Sequence, residues 1–473
     1  MPSSSDHSLW EREQAFLTKE RERVPELFVR PDLANDEVNK RVGILSTPTG
    51  MPKGCVKSSP LDFIVEEMRS DGMLSTADLS GACKPLMDGV GTVYADLVKV
   101  GISTIDAAGR LATALKLDRK HIGYAGIKDA VALTAQTISF RQTTVDAVKA
   151  LSIPNLVLTR VGEGKGAVAI GGLKGNRFTL FIRTDGAPDE ARMTELVEAV
   201  KANGVPNYYG AQRFGTPRYL SHMYGMHVMR GEYEQAVKAV FAAPSAFEIP
   251  YFAQRRKRIA EAWGDWKAVR ALVTDLPYAL RHETQMLAEL ERGSADMYTK
   301  ALAAVSQQTD MWVRAYASFL TNLILSEAEI SGDTLPDTIP LLLSQREADR
   351  AFYKTLTDAH GTGQFQSHLR QSGFDKFVNI GANPSIPSRI KPTMHGFRCV
   401  PEGVAISFDL PKGAYATTVL MFLFDVAQGT PEWVTTTEVD TKKLLGTGSV
   451  EEAKARLGEF IRQAAKTEAD AGE

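Results

Sequence analysis

The chain has 473 residues, of which 44% are hydrophobic, so its length predicts two or three ordinary globular domains. Its 55 Lys and Arg residues almost balance its 57 Asp and Glu residues, and the formal net charge of -2 excludes a global field that would attract nucleic acid or membranes. Any anion-binding surface must therefore be a local basic patch. No apolar run approaches the roughly 20 residues that a membrane span requires.

The cysteines and the N-terminus bear on the compartment. Cys55, Cys83 and Cys399 lie far apart, without a CxxC pair or a histidine at zinc spacing. We therefore expect neither a disulfide framework nor a structural zinc, and a reducing compartment fits best. The N-terminus mixes acidic and basic residues and lacks the apolar core of a secretory signal. We expect a cytoplasmic protein, with the nucleus or the mitochondrion as alternatives.

The first half of the chain mixes predicted strands with amphipathic helices. Residues 1–49 form a charged extension, and the alternating stretches DFIVEEM, TAQTISF and RFTLFIR each predict a strand. Ser103 and Asp106 stand at capping-box spacing before a helix with apolar residues three to four apart. A second helix is predicted from about Pro188 to Gly204. This mixture indicates an α+β fold rather than a regular βαβ repeat.

The second half begins with a different pattern. Residues 216–395 are mostly helical, and Trp312, Tyr316, Leu320 and Leu323 form an apolar stripe that is typical of core packing. Strand alternation then returns in GVAISFDL and is followed by an apolar helix. This order predicts one domain built from two separated segments, with a mostly helical domain inserted between them. The acidic C-terminal tail predicts one surface helix.

One stretch, GYAGIKDAVALTAQ, places Lys128 and Asp129 between a glycine turn and an apolar strand. A lone aspartate after a turn is usually a cap or a turn residue. A nucleotide-binding NKxD box would require an Asn at Gly126 or Ile127, and also a GxxxxGK[ST] phosphate loop. The sequence has neither, so it argues against a GTPase.

Two further stretches could contact RNA. NYYGAQRFG combines aromatic rings, amides and an arginine, which can stack on bases and bind their edges. Composition alone favours a strand and turn with aromatic core residues at that place. The basic run Arg255–Arg258 is typical of a solvated helix face, with phosphate contact as the alternative.

Six stretches, taken in order, resemble the TruD-type RNA pseudouridine synthases, and most closely their archaeal and eukaryotic branches. They are KSSPLDFIVEE, LVKVGISTIDAAGRLA, GYAGIKDAVALTAQ, GGLKGNRFTLFIR, PNYYGAQRFG and SFDLPKGAYATTVL. The similarity extends from about residue 55 to about residue 425 and is loose in the middle. Six ordered matches are far more specific than any one of them.

The resemblance implies an α+β architecture. A pseudouridine-synthase catalytic domain with a mixed, mainly antiparallel sheet would carry an inserted, mostly helical family-specific α/β domain, with an RNA-binding cleft between the two. The implied limits are an extension at 1–49, catalytic segments at 50–215 and 396–430, the insertion at 216–395, and a C-terminal helix and tail at 431–473.

The resemblance also implies a catalytic role for Asp129, which matches the single aspartate of the family's GxKD motif. The carboxylate would act at the ribose of an extruded uridine, either as a nucleophile at C1′ or as the base that removes a sugar proton. Lys57 matches a family lysine that would keep this carboxylate ionised. Lys128 belongs to the implied substrate-binding set.

Further positions of that set lie in NYYGAQRFG. Asn207 and Tyr209 match active-site positions, and the Tyr209 ring replaces the family's usual Phe, which would stack on the target uracil. Arg213 completes the set, although Gln212 and Arg213 are more readily interpreted as supports of the loop. The implied reaction needs no cofactor or metal. The implied partner is RNA, most often tRNA at uridine 13, and we expect a monomer with no membrane contact.

Five positions depart from the family pattern. Ala130 and Val131 replace basic residues after the catalytic aspartate, Met421 and Phe422 replace Arg-Glu, and Ala317 replaces Gln. These changes leave an alternative function open, that of a catalytically impaired RNA-binding or assembly factor. Retention of the aspartate favours an active enzyme.

Overall fold

The structure, a computed structural model, describes residues 4–29, 31, 34–79, 88–382, 384–427, 429–434 and 437–472. It divides into two compact units. The first unit comprises Pro48–Val205 and the chain from Ile390 onwards. The second comprises the described residues up to Thr47 together with Pro206–Arg389. The domain limits given by the sequence stay predictions.

The longer strands lie in the first unit. They are β1 (Lys53–Cys55), β2 (Phe63–Arg69), β3 (Thr92–Lys99), β4 (Ile122–Tyr124), β5 (Leu133–Arg141), β6 (Leu156–Gly164), β7 (Leu173–Thr184), β8 (Val205–Pro206), β9 (Thr338–Pro340), β10 (Ser385–Pro387), β11 (Arg389–Ile390), β12 (Thr393–Val400), β13 (Gly403–Pro411) and β14 (Asp425–Val426).

The helices are concentrated in the second unit. They are α1 (Ser4–Arg23), α2 (Asn35–Arg41), α3 (Thr104–Leu115), α4 (Val145–Lys149), α5 (Glu190–Asn203), α6 (Ser221–Arg230), α7 (Tyr233–Ala242), α8 (Pro250–Glu261), α9 (Trp266–Val273), α10 (Arg281–Leu290), α11 (Met297–Ala304), α12 (Ser306–Ser331), α13 (Glu347–Ala351), α14 (Lys354–Ala359), α15 (Phe365–Ser372), α16 (Ala416–Leu420), α17 (Thr441–Leu444) and α18 (Glu451–Gly472).

A single sheet organises the first unit. Its main strands run in the order β12-β13-β7-β2-β5-β3-β6; off this path, β1 pairs with β7 and β14, and β4 pairs with β5. The β2–β5 and β1–β14 pairs are parallel and the other pairs of this sheet are antiparallel. The predicted mixed, mainly antiparallel sheet of an α+β fold is confirmed. The central strands β3 and β5 are buried almost throughout, on their polar as well as their apolar positions.

The predicted helices of the first unit begin and end close to their sequence signals. Ser103 caps α3, because its hydroxyl accepts the N–H of Asp106 at 3.1 Å. Helix α5 begins at Glu190, after the N-cap Asp189, rather than at Pro188. It ends at Asn203, and the next residue, Gly204, has a φ of 65° and a position at which a Cβ would lie 2.6 Å from the Ile390 carbonyl oxygen.

Helix α12 forms the centre of the second unit. Trp312, Tyr316 and Leu320 are buried in its core, and Leu323 packs against the same core. The core-packing interpretation of this stripe is confirmed. The side chains of the N-terminal segment pack here too, since Glu13 of α1 accepts the backbone N–H of Tyr278 at 2.7 Å.

The basic run at 255–258 is not a solvated face throughout. Arg256 is only 7% exposed, and its guanidinium lies 2.9 Å from Glu248 and 3.1 Å from Glu283. The solvated-face prediction is therefore wrong for Arg256, because two carboxylates outside α8 neutralise the charge inside the core.

The described residues give information on two sequence expectations, those about disulfides and about membrane spans. Cys55 and Cys399 form no disulfide with each other, and Cys83 lies outside the described residues. Among the helices that the structure describes, none is both long enough and apolar enough to cross a membrane.

Candidate active site

The turn between β4 and β5 is fixed by a buried hydroxyl and a buried amide. The Thr104 hydroxyl accepts the Lys128 N–H at 3.0 Å and donates to Gln136 Oε1 at 2.8 Å. The amide Nε2 of Gln136 donates to the Gly126 carbonyl at 3.0 Å. These bonds join the turn to the start of α3 and to β5, so Asp129 stands on a fixed main chain.

The Asp129 carboxylate has two partners. One oxygen accepts the Val131 N–H at 3.1 Å, and the other forms an ion pair with the Lys57 ammonium. The Asp129 side chain is 29% exposed and that of Lys57 is 23% exposed, so a substrate can reach both. Burial acts to raise the pKa of Asp129, but Lys57, the Val131 N–H and Lys99 outweigh it and hold the pKa below its ordinary value.

Lys57 adopts an unusual conformation beside its partner. Its φ is 62°, in the left-handed region that residues other than glycine rarely adopt. Its ammonium lies 4.6 Å from the centroid of the Phe63 ring. The chain after Lys57 is anchored by Asp62, which accepts the Ser59 N–H at 3.0 Å and binds Arg183. Positive φ angles at residues other than glycine are often found at functional sites.

A second lysine lies behind the aspartate and was missed by the sequence analysis. Lys99, the last residue of β3, is 0% exposed, and its ammonium donates to the carbonyls of Asp129 at 2.7 Å and Ile102 at 2.8 Å. Burial lowers its pKa to about 8. The available signal was a lysine at the end of an otherwise buried strand.

Lys128 is also enclosed. Its ammonium lies 2.7 Å from Glu67 and donates to Asn176 Oδ1 at 2.6 Å, and the residue is 6% exposed. Burial raises the pKa of Glu67 despite the neighbouring Lys128. This environment favours a supporting role for Lys128 over the predicted RNA contact.

The NYYGAQRFG segment lies at the start of the second unit's long segment, and its main chain is held by amide side chains. Asn207 is buried, and its Nδ2 donates to the Pro387 carbonyl at 2.9 Å. Asn322 of α12 accepts the Tyr209 N–H at 2.8 Å and donates to the Tyr209 carbonyl at 2.9 Å. Sequence composition gave no signal for Asn322, because its role depends on a contact across 113 residues.

The half-buried side chains of Tyr209 and Arg213 face each other. The Arg213 guanidinium carbon lies 5.9 Å from the centroid of the Tyr209 ring, and its Nε donates to the Ser318 hydroxyl at 3.3 Å. Both line a cavity of about 130 Å³ together with Ala317 and Ser318. Gln212 is exposed. The cavity can admit a small planar group beside an aromatic face.

The predicted site residues thus form two groups. The structure brings together Lys57, Lys128 and Asp129 in the first unit, and Asn207, Tyr209 and Arg213 in the second. Among the described residues, no group of three or more His, Cys, Asp or Glu side chains could hold a metal ion.

Apolar packing accounts for two of the departures from the family pattern. Val131 packs against a core cluster of the first unit, and Phe422 packs against another cluster of that unit. The Val131 main chain, moreover, donates to the catalytic candidate.

Comparison with known proteins decides the family. The family model described as tRNA pseudouridine synthase D (TruD) matches residues 42–342, more than half of the chain. The chain belongs to the TruD family.

Curated relatives support this assignment. A protein of Methanopyrus kandleri named "Probable tRNA pseudouridine synthase D" is 30% identical over 351 residues, which cover 68% of this chain and 83% of that protein. A Methanocaldococcus jannaschii protein named "Probable tRNA pseudouridine synthase D 1" is 30% identical over 394 residues, 78% of this chain and 94% of its own. The family, and with it an enzyme of the isomerase class that acts on RNA, is confirmed.

A solved structure supports the fold. A Methanosarcina mazei protein whose structure is titled "Crystal Structure of the Putative tRNA pseudouridine synthase D (TruD)" is similar with a TM-score of 0.60 at 23% identity, and the match covers 82% of this chain and 98% of that one. The predicted fold class is confirmed by this likeness.

Proposed function

We propose that this TruD-family chain converts uridine to pseudouridine in tRNA, at uridine 13 or a related position, with Asp129 as the catalytic carboxylate. It acts as a monomer and without a cofactor. The observation that carries the proposal is the half-buried carboxylate of Asp129, ion-paired with Lys57 and held by the Val131 N–H.

The reaction exchanges one bond for another. The C1′–N1 glycosidic bond breaks, a C1′–C5 bond forms, a proton leaves C5, and N1 gains a proton. Positive charge develops at C1′ when the glycosidic bond weakens, and an ionised carboxylate stabilises it. The isomerisation therefore requires no oxidant or reductant and involves no net hydrolysis.

Two routes use the same carboxylate. Asp129 attacks C1′ as a nucleophile, or it removes a ribose proton as a base and leaves a glycal. Both routes require the ionised form, and the Lys57 ion pair, which lowers the pKa of Asp129, supplies it at neutral pH.

In this proposal, Tyr209 supplies the stacking group. An extruded base loses its stacking partners and needs replacements. Tyr209 offers an aromatic face, Arg213 supports the ring, and Asn207 and Asn322 hold the main chain that carries it. The adjoining cavity leaves room beside the ring.

Replacement of Asp129 by Asn tests the proposal. The change keeps size and removes charge, so pseudouridine formation falls at least about a hundredfold, whereas folding and tRNA affinity stay close to those of the wild type. The measurement is tritium release from tRNA carrying [5-³H]uridine, because C5 loses its hydrogen. Asp118→Asn, at an exposed turn of the same unit, is the matched control and retains activity. Full turnover by the Asp129 variant would remove Asp129 from this role.

A deletion strain tests the substrate class. Transcriptome-wide pseudouridine mapping should lose a tRNA site, which the wild type restores and the Asp129→Asn variant does not. An unchanged map would overturn the proposed substrate and favour a factor that binds RNA without modifying it.

A further inference from the structure

The ammonium of Lys99 has no carboxylate partner among the residues that the structure describes, although it is sealed from solvent. Its bonds go to two main-chain carbonyls, those of Asp129 at 2.7 Å and Ile102 at 2.8 Å. The neighbouring buried Lys128 differs, because it lies 2.7 Å from Glu67 and is neutralised there. A buried charge that forms no direct ion pair costs free energy, and such groups are concentrated at functional sites.

The three lysines around Asp129 also differ in access. Lys57 is 23% exposed and shares the open side of the carboxylate, which is 29% exposed, whereas Lys99 is fully buried. A ribose that approaches the carboxylate therefore competes with Lys57 for the same oxygens. It cannot displace Lys99, which is bound to the main chain of the same residue.

We propose that Lys99 is a positioning residue for the isomerisation, which fixes the main chain of Asp129 and keeps a positive charge beside its carboxylate while Lys57 yields to the substrate. This inference rests on the proposed role of Asp129. In this inference, Lys99 is the cation that stays beside Asp129 throughout the reaction, because the substrate cannot reach it.

The charges around the carboxylate support this assignment. Lys57 and Lys99 both lower the pKa of Asp129 against the opposing effect of burial. Burial lowers the pKa of Lys99 to about 8, with Asp129 acting in the other direction and Lys128 adding to the decrease. Glu67 offsets the charge of Lys128. Lys99 is therefore mostly protonated at neutral pH and sensitive to the charge of Asp129.

Two substitutions separate charge from hydrogen bonding. Lys99→Met removes both, and Lys99→Gln removes the charge but keeps a donor. In each variant the pKa of Asp129 rises, so the ionised fraction falls at low pH. The acidic limb of the single-turnover pH–rate profile therefore shifts to higher pH by about one pH unit. The Kd for tRNA stays within about twofold of the wild-type value.

Lys442→Met is the matched control. Lys442 is another buried lysine of the first unit, 3% exposed, but it is ion-paired with Glu66 and bonded to Thr76 at 3.1 Å. Its loss lowers the thermal unfolding midpoint and leaves the acidic limb where it is in the wild type. An unmoved acidic limb in both Lys99 variants would overturn the proposal.

A titration that needs no activity completes the test. Lys57→Met leaves Lys99 as a cation beside Asp129, whereas Lys57→Met/Lys99→Gln removes both charges, and burial opposes ionisation of Asp129 in both variants. The ¹³C-detected pKa of the Asp129 carboxyl is therefore lower in Lys57→Met than in the double variant. Equal pKa values in the two variants would show that Lys99 supplies no effective charge and would overturn the inference. Because the readout is a pKa, its outcome is independent of whether Asp129 catalyses the proposed reaction.

Discussion

At the scale of single residues, the candidate site depends on side chains that hold main chain. Asn322 binds both the N–H and the carbonyl of Tyr209, and Lys99 binds the carbonyl of Asp129. Such bonds fix the main-chain position of a candidate functional residue and leave the end of its side chain accessible. Tyr209 and Asp129 are consequently both half-buried, while the groups that hold them are fully buried. This arrangement pre-organises the candidate site residues without covering them.

The Tyr209 ring can be tested by two substitutions. Tyr209→Phe keeps the stacking face and should retain activity within a few-fold. Tyr209→Ala removes it and should weaken kcat/KM by about 1–3 kcal/mol, the stacking free energy of one base. Steady-state kinetics with tRNA give the values, and thermal unfolding checks that both variants are folded. Equal loss in the two variants would assign the effect to the hydroxyl instead of the ring.

Sequence reasoning finds exposed or motif-borne residues more readily than buried ones. Asp129 and Lys57 were recognised from ordered motifs, and the structure places them in an ion pair. Lys99 and Asn322 were missed because their roles come from contacts between distant segments, which periodicity does not register. Lys128 lay in the motif, yet its ammonium faces Glu67, and no local signal distinguishes an enclosed lysine from an exposed one.

At the scale of elements, the C-terminal helix supports the strands that carry the site. Val450, Ala453, Leu457 and Ile461 are buried in one cluster with Val98 of β3 and Leu133 of β5. Val131, two residues after Asp129, packs against that cluster. The tail that the sequence predicted as a surface helix therefore has one buried face, which packs against the core of the first unit.

A substitution on this face should measure that support. Leu457 is 2% exposed, so Leu457→Ala should lower the free energy of unfolding by about 2–5 kcal/mol, through lost apolar burial and the cavity that remains. Glu459→Ala, on the exposed side of the same helix, is the control and should stay within about 0.5 kcal/mol of the wild type. Chemical denaturation gives both values. Equal stability of Leu457→Ala and the wild type would show that the helix does not support the unit.

Apolar periodicity in the sequence predicted which segments are helices and which are strands, and capping residues predicted where the helices begin and end. The strands and the helices α3, α5 and α12 agree with the sequence patterns. The exceptions have local causes: α5 begins after Asp189, whose carboxylate accepts the Ala191 N–H at 2.9 Å, so the helix starts two residues beyond Pro188. Arg256 is buried where the sequence predicted an exposed residue, because the carboxylates of Glu248 and Glu283 neutralise its charge.

At the scale of the whole molecule, charge limits how RNA can be bound. A net charge of -2 gives no general attraction for a polyanion, so we expect binding to depend on a confined basic surface. The Kd for tRNA should then rise with salt, with a log–log slope of about 0.9 per phosphate contacted on duplex regions and about 0.7 on single strands. Filter binding between 50 and 200 mM salt, a range in which such contacts change affinity strongly, measures the slope. A flat response would contradict a phosphate-binding surface.

The same measurement decides what Arg213 does. If its guanidinium contacts a phosphate, Arg213→Ala lowers the slope by about 0.7–0.9. If it supports the Tyr209 ring through the contacts at 5.9 Å and with Ser318 at 3.3 Å, the slope stays constant and kcat/KM falls as in Tyr209→Ala. We expect the second outcome, because the Arg213 side chain is already engaged and half-buried. Lys120→Ala, at an exposed turn of the first unit, is the control for loss of one positive charge. A lower slope for Arg213→Ala than for this control would make Arg213 a phosphate contact.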